Sequence, residues 1–342
     1  MPGQITRTRK QQVLNYQANG LVVSNQLGLG MLYRELSLRL SGALISTGSH
    51  FGPTTILGGD EWAFVKKIEL VVNGGDTIRT FTGEEFRMYN AFTFEKPPRP
   101  SQLFNSGAST SSFDSTLILP FWDYRGISPV DTLLDSSKLS DLRLQVTWGN
   151  PDSATTFSGN TFTTAPTIGI TSRESYGLKG RFSVTRNFRI VQSNVPSGQG
   201  YTVILPLGNI YKGFFINTKD ASGNDLVDCV DHVQIVSGTN VFLDADYKDL
   251  RDWWALRNSA HFPRIDTTFA EMPIALSNKS LLNGWQYINL VDDGYLTEAI
   301  DTFKLSELKL VFNTNQSIGT MSIIPDQIIP VRNAAKAGKG SK

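Results

Sequence analysis

Cysteine, histidine and charge are all scarce in this chain. Of its 342 residues one is cysteine and three are histidine, and only 18% are charged, against roughly 25% in an ordinary soluble domain. The lone cysteine, Cys229, excludes an internal disulfide framework and any multi-cysteine zinc site. Stability must therefore come from packing, which fits folding in a reducing host cytoplasm. Cys229 itself reads as a small buried apolar residue. His50, His232 and His261 stand far apart without HxH or HExxH spacing, so each reads as an ordinary core or surface histidine. Long apolar runs are missing too: the clean stretches, such as Leu117 to Trp122, have strand length and fall far short of a membrane span. The first residues are basic with no apolar segment behind them, so they do not read as a secretory signal. A net charge of +1 offers no global field to steer nucleic acid or an anionic surface.

Catalytic signatures are equally sparse. There is no GxSxG elbow and no glycine loop ending in Gly-Lys-Ser/Thr. Gly28-Leu29-Gly30 lacks the third glycine of a dinucleotide fingerprint, Tyr33 standing in its place. Asp231, Asp244, Asp246 and Asp249 do not follow the EF-hand pattern: counted from Asp244, the sixth and twelfth positions hold Asp249 and Ala255. Helix capping accounts for two of them, and Asp292-Asp293 is no better a metal site. Glu84-Glu85, the adjacent glutamate pair, sits in a helix first turn. The reading is a protein without enzymatic activity, metal or cofactor.

What is present is alternation. Leu36-Ser37-Leu38-Arg39-Leu40-Ser41 places its leucines on one face of a strand, as do Leu142 to Trp148 and Leu308 to Phe312. Turn clusters lie between such runs, at 73–76, 149–152, 222–225 and 237–240. Two segments read as helix. One opens with the capping box Thr82-Gly83-Glu84-Glu85 and continues through Phe86 and Tyr89; the other begins near Asp246 with Asp249 at its third position.

The chain also repeats itself. Lys138-Leu139-Ser140-Asp141-Leu142-Arg143-Leu144 matches Lys304-Leu305-Ser306-Glu307-Leu308-Lys309-Leu310 at an offset of 166, with Asp135 and Asp301 matching just upstream. The hairpin at Ile68 to Gly74 resembles that at Val233 to Gly238, and Thr82 with Phe86-Arg87 aligns with Asp246 and Leu250-Arg251 at an offset of 164. Three collinear matches indicate two copies of one β unit of about 165 residues. That is larger than an immunoglobulin sandwich of about 100 residues and suits a jelly roll. The fold expected is all-β: two tandem eight-stranded jelly rolls with a short helix in each half. The expected division is a basic N-terminal arm at 1–20, a first jelly roll at 21–180, a second at 181–331 and a basic tail at 332–342. The loops 104–114 and 152–166, rich in Ser, Thr, Gly and Asn, read as surface loops.

Charge is concentrated at the ends. Residues 1–12 carry +3 through Arg7, Arg9 and Lys10, residues 327–342 carry +4 through Arg332, Lys336, Lys339 and Lys342, and the body between them is −6. Such ends suit phosphates of nucleic acid or lipid headgroups.

With two jelly-roll-like halves, paired helices, the repeated strand and basic ends, the chain resembles the double jelly-roll major capsid proteins of tailless icosahedral viruses, a family including corticovirus- and tectivirus-like phage coat proteins and the adenovirus hexon. The resemblance covers Leu21 to Val331 and is architectural, without a short diagnostic motif. It implies homotrimers that form pseudo-hexagonal blocks of a virion shell, with neighbouring trimers and other virion proteins such as vertex proteins as partners. It also implies that Arg7, Arg9, Lys10, Arg332, Lys336, Lys339 and Lys342 face an internal membrane or the genome. The alternative is a two-jelly-roll carbohydrate-binding or carbohydrate-active protein. For that role Trp62 and Trp285 are the tryptophans not otherwise accounted for: Trp253 and Trp254 fall in a helix, and Trp122 and Trp148 in strand runs.

Overall fold

A computed structural model describes residues 5–46, 61–94, 110–123, 132–154, 160–178, 183–257, 263–265, 276–280, 284–291 and 296–329. Strictly alternating segments need two sheets to bury their apolar faces, and the chain supplies them twice. In the first half, β1 (Ile5–Asn15), β3 (Leu32–Ser46), β6 (Thr110–Pro120) and β8 (Asn160–Tyr176) form one antiparallel sheet in the order β1-β8-β3-β6. The other contains β2 (Leu21–Val23), β4 (Val65–Val72), β5 (Asp76–Phe81) and β7 (Leu142–Trp148) in the order β2-β7-β4-β5. Successive strands pass from sheet to sheet except at the β4–β5 hairpin, which is jelly-roll connectivity. Leu36, Leu38 and Leu40 of β3 and Leu142, Leu144 and Val146 of β7 are fully buried in the shared core.

The second half repeats this. One sheet consists of β9 (Ile190–Val195), β11 (Ile210–Lys219), β14 (Trp285–Asn289) and β16 (Ile318–Ile329), ordered β9-β16-β11-β14, with Val184–Arg186 preceding β9 along the same edge. Its partner consists of β10 (Gly198–Ile204), β12 (Val230–Ser237), β13 (Asn240–Asp246) and β15 (Lys309–Thr314), ordered β10-β15-β12-β13. Phe214, Ile216, Val233, Ile235, Leu308, Leu310 and Phe312 fill the second core. Helices α1 (Gly83–Phe94) and α2 (Tyr247–Arg257) follow β5 and β13. The expected pair of eight-stranded jelly rolls, each with a helix, is what the chain forms.

The duplication extends to details that identity did not expose. The Tyr33 hydroxyl donates to the carbonyl of Gly28 at 2.7 Å, and the Tyr211 hydroxyl to that of Pro206 at 2.5 Å. Each tyrosine precedes a register shift in its strand, at Tyr33/Glu35 and Tyr211/Gly213. Asp135 accepts from the Ser137 amide and Asp301 from the Phe303 amide. Ser136 and Thr302, one residue on, donate to the carbonyls of Met31 and Asn209.

Three expectations need correction. Residues 1–20 are not a free arm: Ile5–Asn15 is the edge strand of the first jelly roll. Its residues 5–12 are nearly all polar, so no alternation of hydrophobicity marks it. It is held by backbone pairing, by buried Leu14, and by Gln11, whose Nε2 donates to Ser172 Oγ at 2.7 Å and Glu174 Oε1 at 3.0 Å. Asp246 does not cap α2 through its side chain, which instead meets His232 Nδ1 at 3.1 Å, while Asp244 meets Nε2 at 2.5 Å. Trp122 lies just beyond β6 and is partly buried against Leu32 and Leu133. Cys229 is buried as expected, but Val227 two residues before it is exposed, because Asp228 adopts a left-handed φ of 53° ahead of β12.

Candidate assembly interface

The two jelly rolls are joined by α1, and the local sequence explains how. Thr82 and Glu85 make the capping box reciprocally: the Glu85 amide donates to Thr82 Oγ1 at 3.1 Å and the Thr82 amide to Glu85 Oε2 at 2.8 Å. Gly83 permits the close entry into the helix, since a Cβ there would lie 1.8 Å from the Trp62 carbonyl oxygen. Phe86 turns into its own jelly roll against Trp62 and Phe81, with centroids 5.8 and 5.6 Å away. The next turn points outward. Tyr89 packs on Phe215 at 5.1 Å, and Phe92 on Phe215 and Tyr287 at 5.8 and 6.0 Å, so one helix face covers the outer face of the second jelly roll's β11 and β14. Phe215 and Tyr287 stack at 4.3 Å beneath it.

Charge fixes the same junction. Glu85 uses its other oxygen to accept from Arg189 Nε at 2.5 Å, and Glu84 accepts from Lys219 Nζ at 2.6 Å. Deeper in, Lys212 Nζ lies 3.2 Å from Asp123 of the first jelly roll and 3.3 Å from Asp326 of the second. Burial by itself lowers the lysine pKa, but the two carboxylates outweigh it and hold Lys212 above its ordinary value, firmly protonated. Asn187 between the halves donates through Nδ2 to the Pro325 carbonyl at 3.0 Å, and its backbone pairs with Ile78 and Thr80. The cavity at this junction measures about 30 Å³, room for about one or two waters and too small for a sugar or nucleotide.

The residues singled out from sequence fall as follows. Arg7, Arg9 and Lys10 are exposed on β1, at the sheet edge. Strand alternation divides them: Arg7 and Arg9 lie opposite Glu174 and Ser172, while Lys10 lies opposite Thr171 on the outer face. The Arg7 guanidinium sits over the Tyr176 ring at 5.3 Å. Arg332, Lys336, Lys339 and Lys342 lie outside the described residues, as do His50, His261, Trp254's side chain and Asp292-Asp293. Trp62 and Trp285 are core residues, and the Trp62 indole donates to Ser115 Oγ at 2.8 Å, so neither is a sugar platform. Among the described residues no cluster of three or more His, Cys, Asp or Glu side chains is arranged to hold a metal, and no helix is long and apolar enough to cross a membrane.

Sequence reading missed the junction itself. Glu85 was legible only as a cap. Lys212 carried a signal, a lone charge in the apolar run Ile210–Ile216, but its partners are 89 and 114 residues away in the chain.

No protein-family model matches this chain, and no curated protein does. Solved structures do. The major capsid protein of Sulfolobus turreted icosahedral virus is 12% identical with a TM-score of 0.72, covering 98% of this chain and 99% of that one. The major capsid protein P2 of bacteriophage PM2 is 12% identical with a TM-score of 0.62, covering 96% and 99%. The faustovirus major capsid protein is 9% identical with a TM-score of 0.56, covering 95% and 90%. At such identity the likeness is one of fold, and it extends over both halves and their relative placement: this chain has the double jelly-roll fold of those major capsid proteins.

Proposed function

We propose that the chain is a structural major capsid protein, three copies of which form a pseudo-hexameric block that tiles an icosahedral virion shell. The observation that carries this is the near-complete match of both jelly rolls, in one relative arrangement, to solved major capsid proteins. Its physical logic is that two similar sandwiches per chain turn threefold symmetry into nearly sixfold edges, which close-pack on a shell. The partners under this reading are further copies, neighbouring trimers and other virion components such as vertex proteins, and the place of action is the virion. The described geometry assigns it no reaction, metal or cofactor. Arg7 and Arg9, together with Arg332, Lys336, Lys339 and Lys342, are the residues proposed to meet an internal membrane or the genome. Lys10, on the opposite face of β1, is released from that role.

Light scattering on the purified full chain tests the reading. A trimer that associates further into larger assemblies is the expected result, and a monomer of unchanging mass at every concentration overturns it.

A further inference from the structure

The internal duplication makes the docking of α1 a template for a contact the single chain leaves unused. At the offset of 164 that relates the two helices, Tyr89 corresponds to Trp253 and Glu85 to Asp249. The first pair is buried at the junction within the chain, whereas Trp253 is 45% exposed and Asp249 is exposed on the surface of α2. The receiving face is duplicated too. The paired tyrosine bonds of Tyr33 and Tyr211 set the register of β3 against β11 at an offset of 178, which places Ser37 where the second jelly roll has Phe215. Ser37 pairs with Ile118 and Thr171 as Phe215 pairs with Tyr287 and Ile324. Lys10, opposite Thr171, holds the place of Arg189.

We infer that α2 of one copy docks on the outer face of the β1-β8-β3-β6 sheet of a second copy, repeating between chains the step that α1 makes within one. Trp253 seats over Ser37, Ile118 and Thr171, and Asp249 pairs with Lys10 of the neighbour. Two complementarities favour a second copy as the occupant. The charges match in sign: acid on the helix and base on the sheet edge, as in Glu85 with Arg189. The volumes exchange: inside the chain a tyrosine meets a face built from Phe215 and Tyr287, and between chains the larger tryptophan meets serine and threonine at the corresponding positions. The contact is head-to-tail, so it propagates until the ring closes. Closure after three copies rests on the capsid reading above.

The test is the trimer–monomer midpoint concentration, followed by light scattering on the full chain at about 0.15 M salt. The variants are Asp249→Lys, Lys10→Glu, the two combined, and Trp253→Ala. All three positions are exposed, so the fold is expected to survive. Each single reversal sets like charges together at every interface of the ring and should raise the midpoint at least about tenfold. Trp253→Ala should raise it as well, and the combined reversal should return it to near the wild-type value. A wild-type trimer whose midpoint ignores the single changes, or which the combined reversal fails to restore, overturns the docking and leaves the capsid reading standing. A wild-type chain that never leaves the monomer overturns both.

Discussion

His232 shows how much one side chain's surroundings matter. From the sequence it was an unremarked histidine, and Asp244 and Asp246 were surplus aspartates beside a helix. In the fold the imidazole lies between the two carboxylates, on β12 and β13, and the bond to Asp246 above all, then that to Asp244, raises its pKa over the ordinary 6.5 in spite of partial burial. A raised folded value means that the protonated imidazole favours the native state. That contribution is complete below about pH 6.5 and is lost as pH rises through the higher folded value. NMR titration of the His232 ring should therefore give a midpoint above that of a free histidine. Asp246→Asn should bring the midpoint down toward 6.5; a wild-type midpoint at or below 6.5 contradicts the contact.

At the scale of elements, α1 carries two tasks on one glutamate. Glu85 closes the capping box with one oxygen and holds Arg189 of the second jelly roll with the other. Thr82→Ala removes the cap acceptor and should cost about 1 kcal/mol of stability, read as a lower urea midpoint at unchanged slope. A loss near zero would mean that tertiary packing alone sets the helix start. The elements most legible in sequence were those whose pattern is local: β3, β7, β15, the hairpins at 73–76 and 237–240, and the capping box. β1 was illegible because a polar edge strand is selected by backbone pairing with β8, some 160 residues away, and alternation cannot report a face that is not apolar.

At the scale of the molecule, Lys212 is where two independent-looking halves become one body. It neutralises a carboxylate from each jelly roll inside a nearly dry junction, beside the aromatic face on which α1 lies. Removing it leaves Asp123 and Asp326 buried and facing each other without a cation. Lys212→Ala should cost about 3–5 kcal/mol and split the denaturation profile into two transitions as the jelly rolls uncouple; one unshifted transition would show that the aromatic contacts suffice.

Strand periodicity, the offset of about 165 residues and the paired helices were enough to establish two jelly rolls, because each is a relation among neighbours or between two copies of the same local pattern. The junction was not available in that way. Which face of each sheet is covered, by which helix, and which lone charge meets which carboxylate depend on contacts between residues about 90 to 135 positions apart. Those contacts come into being only when the whole chain has folded, since burial and the partners it brings, not residue type, settle what Lys212, Glu85 and Tyr89 do.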